Sequence, residues 1–406
     1  MALASTSRVA LTYAEELVFG ETPTTGDHKS LRYTGESLDF SLTKEVSEEI
    51  NEYRGSSSMI PVSAEASGTI NGEMQYAEYD EFIQAVLQDT WKPYGTNGVG
   101  AVFNATITAT TITATVAPTG TSEFTNLRKG QWFMLQGTTL NAGKLFRVSS
   151  VTGPTTTVIT LDPGTPGVPE VAVATAKVST SRLSNGVTQR SFSLQKHAAD
   201  VGEYFLYRGM TASRMNLSLA TASRTTVDFD FMGRDSKADS SNMLPGSKLA
   251  SKGFQIMSGV SGTVCTLWYG GTPLVGTFIN TLSLSYDNAL RMQNALCSLG
   301  AVGIGSGTIA VELTAEVFFA SGRVFYDEFL KNQNKEVAFT CFDVDGNGYV
   351  FTLPVANVST YSVTAGSRDA ELMASITFTG LMDLATADAN LRGKVLLIDR
   401  VGAAAA

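Results

Sequence analysis

The residues with the most suggestive spacing for chemistry lie in DVDGNGYV, a segment near the middle of the C-terminal third. Asp343, Asp345 and Asn347 occupy positions 1, 3 and 5 of a calcium-binding loop, and Gly348 occupies position 6, where such loops turn sharply. Position 12 is Pro354 instead of a bidentate glutamate, and the flanking segments VAFTCF and YVFTL are typical of strands. The sequence therefore favours a tight β-turn over a cation site, although cation binding there stays open.

Two glycine-rich segments resemble nucleotide-binding loops only superficially. GTTLNAGKL, from Gly137 to Leu145, has one residue too many before Gly143, and leucine stands where serine or threonine would hold magnesium. GIGSG, which begins at Gly303, has no helix after it to receive a phosphate. We therefore predict a hairpin turn for the first segment and a flexible loop for the second.

Groups suited to catalysis are scarce. The two histidines, His28 and His197, lie in polar settings typical of solvated surface side chains, so a hydrolytic triad or a histidine-based metal site has little to draw on. Adjacent carboxylates such as Glu48 and Glu49 lie in charged runs typical of exposed faces. The sequence therefore predicts a protein that is not an enzyme and that uses no cofactor or metal.

Composition indicates a multidomain β-rich protein. The chain has 406 residues, of which 43% are hydrophobic and 17% charged, with 38 glycines, 11 prolines and a formal net charge of −9. The acidic balance disfavours tight binding to nucleic acid. Cys265, Cys297 and Cys341 form no C-x-x-C pair, which predicts buried reduced thiols. No apolar run approaches ~18 residues, so we expect no membrane association and a cytosolic site of synthesis.

An internal repeat decides the architecture. The motif YDEF at Tyr79 returns at Tyr326, an offset of 247 residues. Four further pairs of similar segments occur in the same order, namely Gly20–Pro23 with Gly270–Pro273, Ser37–Leu42 with Thr281–Tyr286, Ser67–Ile70 with Ser306–Ile309, and Phe192–Gly233 with Phe339–Gly380. The last offset is only 147 residues, so the first copy carries about a hundred extra residues after Trp91. The chain therefore contains a duplicated unit, one copy of which holds an insertion.

Local patterns define the elements of each unit. In DEFIQAVLQDTW, the apolar residues Phe82, Ile83, Val86 and Leu87 fall on one face of a helix that Asp80 could cap. Segments such as SLDFSL, VDFDF and ASITF alternate apolar and polar residues, which is the period of a half-buried antiparallel strand. Each unit is therefore predicted to be a β-sandwich or curved sheet with one flanking helix.

The predicted fold is mainly β, with two duplicated β-sandwich or barrel domains, each with a flanking α-helix, and one inserted small β-domain. The threonine-rich segment 97–184 is the inserted domain, which we expect to project from the outer surface. The boundaries of the remaining parts are an N-terminal arm at 1–30, a first domain at 31–96 and 185–233, an exposed polar linker at 234–260, a second domain at 261–400 and a tail at 401–406. The arm holds too little apolar surface for a core, so we expect it to become ordered on a neighbouring subunit or ring.

Several segments in one order resemble the tail tube proteins of long-tailed bacteriophages. They are GETPTTGDHKSLRYTGESLDFSL, EEINEYR, GTINGEMQYAEYDEFIQAVLQDTW and VDFDFMG. The resemblance implies a structural virion protein, here with two fused tube domains, whose sheets join into closed β-barrel rings. Stacked rings would form the hollow tail tube through which DNA is delivered. It also implies assembly in the bacterial host cytoplasm, and a tape measure protein and a tail terminator as partners.

The fusion of two units has a further implication for the ring. Because single-unit tube proteins form six-membered rings, three copies of this chain should close a homotrimeric ring with pseudo-sixfold symmetry. The rival interpretations are a β-domain adhesin or capsid-decorating protein, and an enzyme acting on polysaccharide, which the absence of a distinct carboxylate pair disfavours.

Two sets of residues follow from the predicted tube. The helices should bury an apolar face against the sheet, through Phe82, Val86, Leu87, Phe329 and Leu330. A channel for rapid DNA passage should present acidic and small polar side chains, so that DNA passes without specific binding. The candidate lumen-facing residues are Asp39, Ser41, Asp228, Asp230, Ser283 and Ser285.

Overall fold

The computed structural model describes residues 5–402 except 96–97, 115–123, 125, 152–157, 260–265, 275–277, 319–322, 366–367 and 369–370. It is mainly β, with 54% strand and 5% helix, and this confirms the predicted fold class. Strands dominate because the apolar residues recur with a period of two along most of the chain.

The first half of the chain holds the first unit and the insertion. After a 3-10 helix at Thr6–Arg8 come β1 Val9–Glu15, β2 His28–Leu31, β3 Gly35–Glu36, β4 Asp39–Val46, β5 Met59–Glu73, α1 Asp80–Leu87 and β6 Lys92–Pro93. The insertion contributes β7 Phe103–Ile107, β8 Thr111–Ala114, β9 Trp132–Gln136, β10 Leu145–Val151, β11 Val158–Leu161 and β12 Glu170–Ser179. The first unit then resumes with β13 Ser181–Ser184, β14 Phe192–Ala198, β15 Glu203–Ala220, β16 Thr226–Gly233 and β17 Asp235–Asp239.

The second unit follows a similar plan. Its elements are β19 Leu267–Tyr269, β20 Thr272–Pro273, β21 Ile279–Asp287, β22 Arg291–Gln293, β23 Gly303–Gly305, β24 Ala310–Phe318, α2 Arg323–Lys331, β25 Asn334–Phe342, β26 Gly348–Thr364, β27 Met373–Leu381 and β28 Leu397–Val401. The short strand β18 Lys248–Leu249 precedes them and pairs with β2 of the first unit.

One antiparallel sheet crosses both units, and we call it the main sheet. Its strand order is β4–β5–β16–β15–β21–β24–β27–β26, so each unit supplies four consecutive strands. The units meet where β15 pairs with β21, from Arg214 opposite Asp287 to Ala220 opposite Thr281. This ladder leaves no break in the sheet at the junction between the two copies.

The main sheet is apolar on one face and polar on the other. Paired residues such as Phe229, Met215 and Tyr286 are at most 1% exposed and belong to one large core. An outer layer covers this apolar face, formed in the first unit by β1, β14 and the first half of β15, and in the second by β19, β25, β28 and the first half of β26. Each unit is therefore a two-layer sandwich whose polar face points away from the core.

Helix α1 lies between the two layers. The Phe82 ring is 5.2 Å from Phe192 in the outer layer and 5.6 Å from Phe229 in the main sheet, measured between ring centroids. The prediction that Asp80 caps the helix is wrong, because Tyr79 occupies the N-cap position without a side-chain cap and Asp80 is buried in the first turn.

The strand register defines which residues of the two units are equivalent. In the first unit Ile70 lies opposite Phe229, and in the second Ala315 lies opposite Ile376, at the same places in the strand order. This sets an offset of 245 residues for these strands, whereas the similarity of Ser67–Ile70 to Ser306–Ile309 implies 239. That pairing is wrong, because Ser306–Ile309 precede β24.

The inserted segment forms a closed six-stranded barrel in the order β10–β11–β8–β7–β12–β9, with a core of its own. It is narrower than 97–184, because β13 pairs with β28 and β6 in the body of the molecule. The barrel packs against the outer layer of the second unit, where Trp132 and Met134 meet Trp268, Phe342 and Val350, among others. It is therefore a docked domain and not one that merely projects.

Two segments expected to be peripheral belong to the core structure. Strand β1 pairs with β14 along its whole length, and Leu11 and Tyr13 are buried, so the expectation that the arm orders only on a neighbour is wrong for this strand. The linker at 234–260 includes β17, which pairs with β15, and its Leu244 and Met257 are buried. In both segments, a few buried apolar side chains within an otherwise polar sequence hold the backbone against the rest of the molecule.

Three smaller expectations also need correction. His28 is buried and its Nδ1 lies 2.8 Å from the carbonyl oxygen of Pro245. Cys297 is exposed, whereas Cys341 is buried, and Cys265 lies outside the described residues. The segment beginning at Gly303 is not a loop, because it forms β23 and pairs with β22.

Candidate assembly surface and polar face

The candidate lumen residues all lie on the polar face of the main sheet. Asp39 and Ser41 lie on β4, Asp228 and Asp230 on β16, and Ser283 and Ser285 on β21. Across the strands, one row of directly opposed residues runs Asn71, Asp228, Asn216, Ser285, Glu312 and Thr379. The pleat brings these side chains to one face, because directly opposed residues share a face.

This polar face is strongly acidic. Its carboxylates are Asp39, Glu65, Asp228, Asp230, Asp287, Glu312 and Glu316. Two basic side chains at this face are already paired, Arg214 with Asp287 and Arg224 with Glu73. Neutral donors hold two of the carboxylates: Asn71 Nδ2 donates to Asp228 Oδ1 at 2.7 Å and Thr69 Oγ1 donates to Asp230 Oδ1 at 2.6 Å. The face therefore presents negative charge in fixed positions.

Both outer strands of the main sheet have an open edge in the described part of the chain. Strand β4 pairs with β5 on one side only, and the end of β26 from Thr360 to Thr364 pairs only with β27. The equivalent part of β15 is covered by β21. Open edges expose unpaired backbone donors and acceptors, so they favour pairing with another chain.

The two helices differ in how deeply they are buried. Phe82, Val86 and Leu87 of α1 are at most 1% exposed, whereas Phe329 and Leu330 of α2 are 38% and 62% exposed. The prediction that Phe329 and Leu330 bury against the sheet is therefore wrong within one chain. Helix α2 instead buries Phe325 and Glu328, whereas Tyr326, Phe329 and Leu330 are exposed.

The second unit supplies what covers α1. Asn288 Nδ2 donates to the carbonyl oxygen of Val86 at 2.6 Å, and Tyr349 OH donates to Asp80 Oδ1 at 2.7 Å. Arg400 forms an ion pair with Asp80. Sequence reasoning missed this network, because Arg400 lies 320 residues from Asp80 and no local pattern links them.

Electrostatics at this junction reflect burial. Burial raises the pKa of Asp80 above its usual range, although the guanidinium of Arg400 opposes the shift. The Arg400 guanidinium also lies over the rings of Tyr76 and Trp91, at 5.6 and 5.4 Å from their centroids. A buried charge pair surrounded by aromatic rings is a means of fixing geometry, and it explains why the two units meet in one orientation.

The acidic segment at Asp343 is a tight turn between β25 and β26. Asp343 Oδ1 accepts hydrogen bonds from the backbone N–H groups of Asp345 and Asn347, at 2.9 and 2.8 Å. Gly346 has φ of +81°, a conformation that favours glycine. Among the residues that the structure describes, no group of three or more His, Cys, Asp or Glu could hold a metal ion.

These features together define a class of protein: a β-structural subunit with open sheet edges, a continuous polar face and a buried interunit junction. A family model described as phage tail tube protein matches residues 6–380, and the chain belongs to that family. It is a structural component of a phage virion that assembles into the tail tube. No curated protein matches the sequence significantly. In the described part of the chain, no helix is long and apolar enough to span a bilayer.

Proposed function

We propose that three copies of this chain close a ring with pseudo-sixfold symmetry, in which the main sheets join edge to edge into one barrel. The observation that carries the proposal is the unbroken sheet across β15 and β21. There, the two units of one chain are joined by direct strand pairing, which is the contact that neighbouring units need in a closed ring. An eight-stranded sheet with one open edge at each end can close only by pairing with further copies.

The size of such a ring suits a DNA channel. Three copies contribute 24 strands, and at about 4.8 Å between strands they enclose a backbone circle about 37 Å across before strand tilt widens it. After side chains are added, this leaves room for a B-form duplex. Stacked rings would then form a continuous tube.

The acidic face is the one that we assign to the lumen. The apolar face is already covered by the outer layer, so in a closed barrel the polar face is left to point inward. Carboxylates repel phosphates, and a lining whose described arginines, Arg214 and Arg224, are already paired with carboxylates avoids the cumulative contacts that would retain DNA. The tube would thus deliver DNA without specific binding.

Other parts of the proposal rest on family membership. The tube would be assembled in the bacterial host cytoplasm on a tape measure protein and closed by a tail terminator. The chain would act by assembly alone and not as an enzyme.

Electron cryomicroscopy of tubes assembled from the purified protein tests the ring. We expect three chains per ring, with Asp228 and Ser285 on the channel wall. Six chains per ring, or a channel wall of net positive potential, would overturn the proposal.

A variant pair tests the role of the acidic face independently. Ser283→Lys with Ser285→Lys adds two cations per chain to the polar face, and we expect the resulting tubes to retain duplex DNA at low salt and release it as salt rises. Two lysines on the inserted barrel, Val171→Lys with Thr139→Lys, provide the control. Equal DNA retention by both sets of tubes would contradict an inward polar face.

A further inference from the structure

We propose that the contact between copies in the ring repeats the internal β15–β21 junction, with Tyr361 of β26 opposite Phe40 in β4 of the next copy. We also propose that the exposed apolar face of α2 is covered by the apolar side of the β4–β5 hairpin of that copy. This inference rests on the proposed ring, and it adds the register and the residues that meet.

The register follows from stepping across equivalent strands. In the first unit, Phe229 lies opposite Met215, which lies opposite Tyr286 on its other side. In the second unit, Ile376 occupies the place of Phe229 and lies opposite Tyr361. Tyr361 is therefore the counterpart of Met215, and in the described part of the chain no strand pairs with this end of β26 on the side away from β27.

The strand that should fill that edge is β4, the counterpart of β21. Tyr286 lies opposite Val311, four residues before Ala315 in β24. Ile70 is the counterpart of Ala315, and Ala66 lies four residues before Ile70. Ala66 lies opposite Phe40. Phe40 is thus the counterpart of Tyr286, and in the ring it should lie opposite Tyr361.

This register keeps both faces of the sheet consistent. Tyr361 and Phe40 are partly buried hydrophobic residues that pack against the core, so they share the apolar face. The next pair along places Ser362 opposite Asp39, so polar side chains meet on the acidic face. A slip of one residue would turn every side chain of the strand to the wrong face, so this register is strongly specified.

The same equivalence identifies what covers α2. In one chain, Asn288 just beyond β21 contacts the carbonyl oxygen of Val86 in α1. The counterpart of Asn288 is Leu42 in β4, which is 37% exposed. Leu42 lies on the same side of the hairpin as the directly opposed pair Val46 and Met59, with Lys44 between them, and Leu42, Val46 and Met59 are all exposed.

Helix α2 presents a matching surface at the corresponding place. Tyr326, Phe329 and Leu330 are 46%, 38% and 62% exposed, whereas their counterparts in α1 are all within 1% of complete burial. Two exposed apolar surfaces that internal symmetry places against each other bury one another when the ring closes.

Disulfide cross-linking tests the register. In a Cys297→Ser background, which removes the exposed native thiol, Ser362→Cys with Asp39→Cys should give covalent closed trimers when assembled tubes are oxidised. Asn216→Cys with Ser285→Cys is the matched control, because it places a disulfide at the equivalent pair within one chain. Ser362→Cys with Ser41→Cys, shifted by two residues, should give about tenfold less trimer.

The outcomes separate this inference from the ring proposal. Tubes that form with three chains per ring but cross-link better through the shifted pair would overturn the register and leave the ring intact. Failure of the unmodified protein to form hollow tubes would overturn the ring itself. Should the double variant fail to assemble, mixing the two single-cysteine chains must still give covalent dimers, and their absence would count against the register.

A substitution in α2 tests its cover. Leu330→Glu should leave the melting temperature of the unassembled chain unchanged, because the side chain is exposed, and should lower tube yield about tenfold or more. Val171→Glu, at a site 77% exposed on the inserted barrel, is the control and should assemble normally. Normal tube yield from Leu330→Glu would overturn the assignment of this surface.

Discussion

Helices α1 and α2 occupy equivalent places in two copies of one unit, yet their environments differ. Helix α1 is buried along nearly its whole length, with contacts from both units, whereas α2 leaves Tyr326, Phe329 and Leu330 exposed. The difference arises because α1 has a second unit beside it in the same chain and α2 has none. The β15–β21 junction is therefore the template for the contact that we propose between copies at the open end of β26.

The largest expected difference concerns the phenylalanine of the YDEF motif in each copy, because Phe82 is buried in α1 whereas Phe325, and not Phe329, takes the corresponding buried position in α2. Phe82→Ala removes a fully buried ring that contacts Tyr13, Phe192, Phe229 and Phe231, and should lower the free energy of unfolding by about 3–5 kcal/mol. Phe329→Ala, at a partly exposed site, should cost less than about 1 kcal/mol in the unassembled chain.

Equilibrium urea unfolding of the two unassembled variants measures the difference in their free energies of unfolding. Both variants are measured at the same protein concentration, so that self-association does not contribute to the difference. Equal losses would mean that α2 is already buried in the free chain, and would remove the basis of the comparison.

Removing the inserted barrel should have a smaller effect on stability and none on ring closure. Replacing residues 98–179 by a Gly/Ser linker exposes Trp268, Phe342 and Val350, and should destabilise the second unit by on the order of 3 kcal/mol. In the described part of the chain, the barrel packs on the outer layer of the second unit and pairs with neither β4 nor the open part of β26, so tubes should still form. Folded units that fail to assemble would show that the barrel takes part in the ring.

The junction network supplies a more modest test. Tyr349→Phe removes a hydroxyl that donates to Asp80 and accepts from the backbone N–H of Ala77, at 2.7 and 2.8 Å. Because Asp80 and the backbone N–H of Ala77 each lose a hydrogen-bond partner, the free energy of unfolding should fall by about 1–3 kcal/mol. Tyr53→Phe, at a site 84% exposed in the turn between β4 and β5, should change the stability of the free chain by less than about 0.5 kcal/mol. Thermal unfolding of both variants distinguishes a junction held by this network from one held by packing alone.

The sequence was sufficient to predict the elements that depend on the pattern of neighbouring residues. The period-two strands and helix α1 both follow from patterns within short segments, such as those around Phe229 and Phe82. The exposure of α2 could not be predicted, because YDEF is the same in both copies although it begins α1 and lies about one turn into α2, which starts at Arg323. The docking of Trp132 on Trp268 and the pairing of Asp80 with Arg400 join residues far apart in the chain, and no local spacing encodes such contacts.

The smallest expected effect is a pH dependence at the contact between the barrel and the second unit. Glu336 faces Arg147, Asp162 and Arg182, and burial raises its pKa above the usual range although Arg147 opposes the shift. Because the pKa is higher in the folded than in the unfolded state, the native chain binds more protons between the two values, so stability should rise as pH falls through that window.

Glu336→Gln removes this titration and provides the reference. The difference in unfolding free energy between the native chain and the variant, followed from pH 7 downward, should shift in favour of the native chain until the unfolded-state pKa is passed. All other titrating groups cancel in that difference, so its sign reports the charge balance at this contact. A shift in favour of the variant would mean that Arg147 lowers the pKa of Glu336 by more than burial raises it.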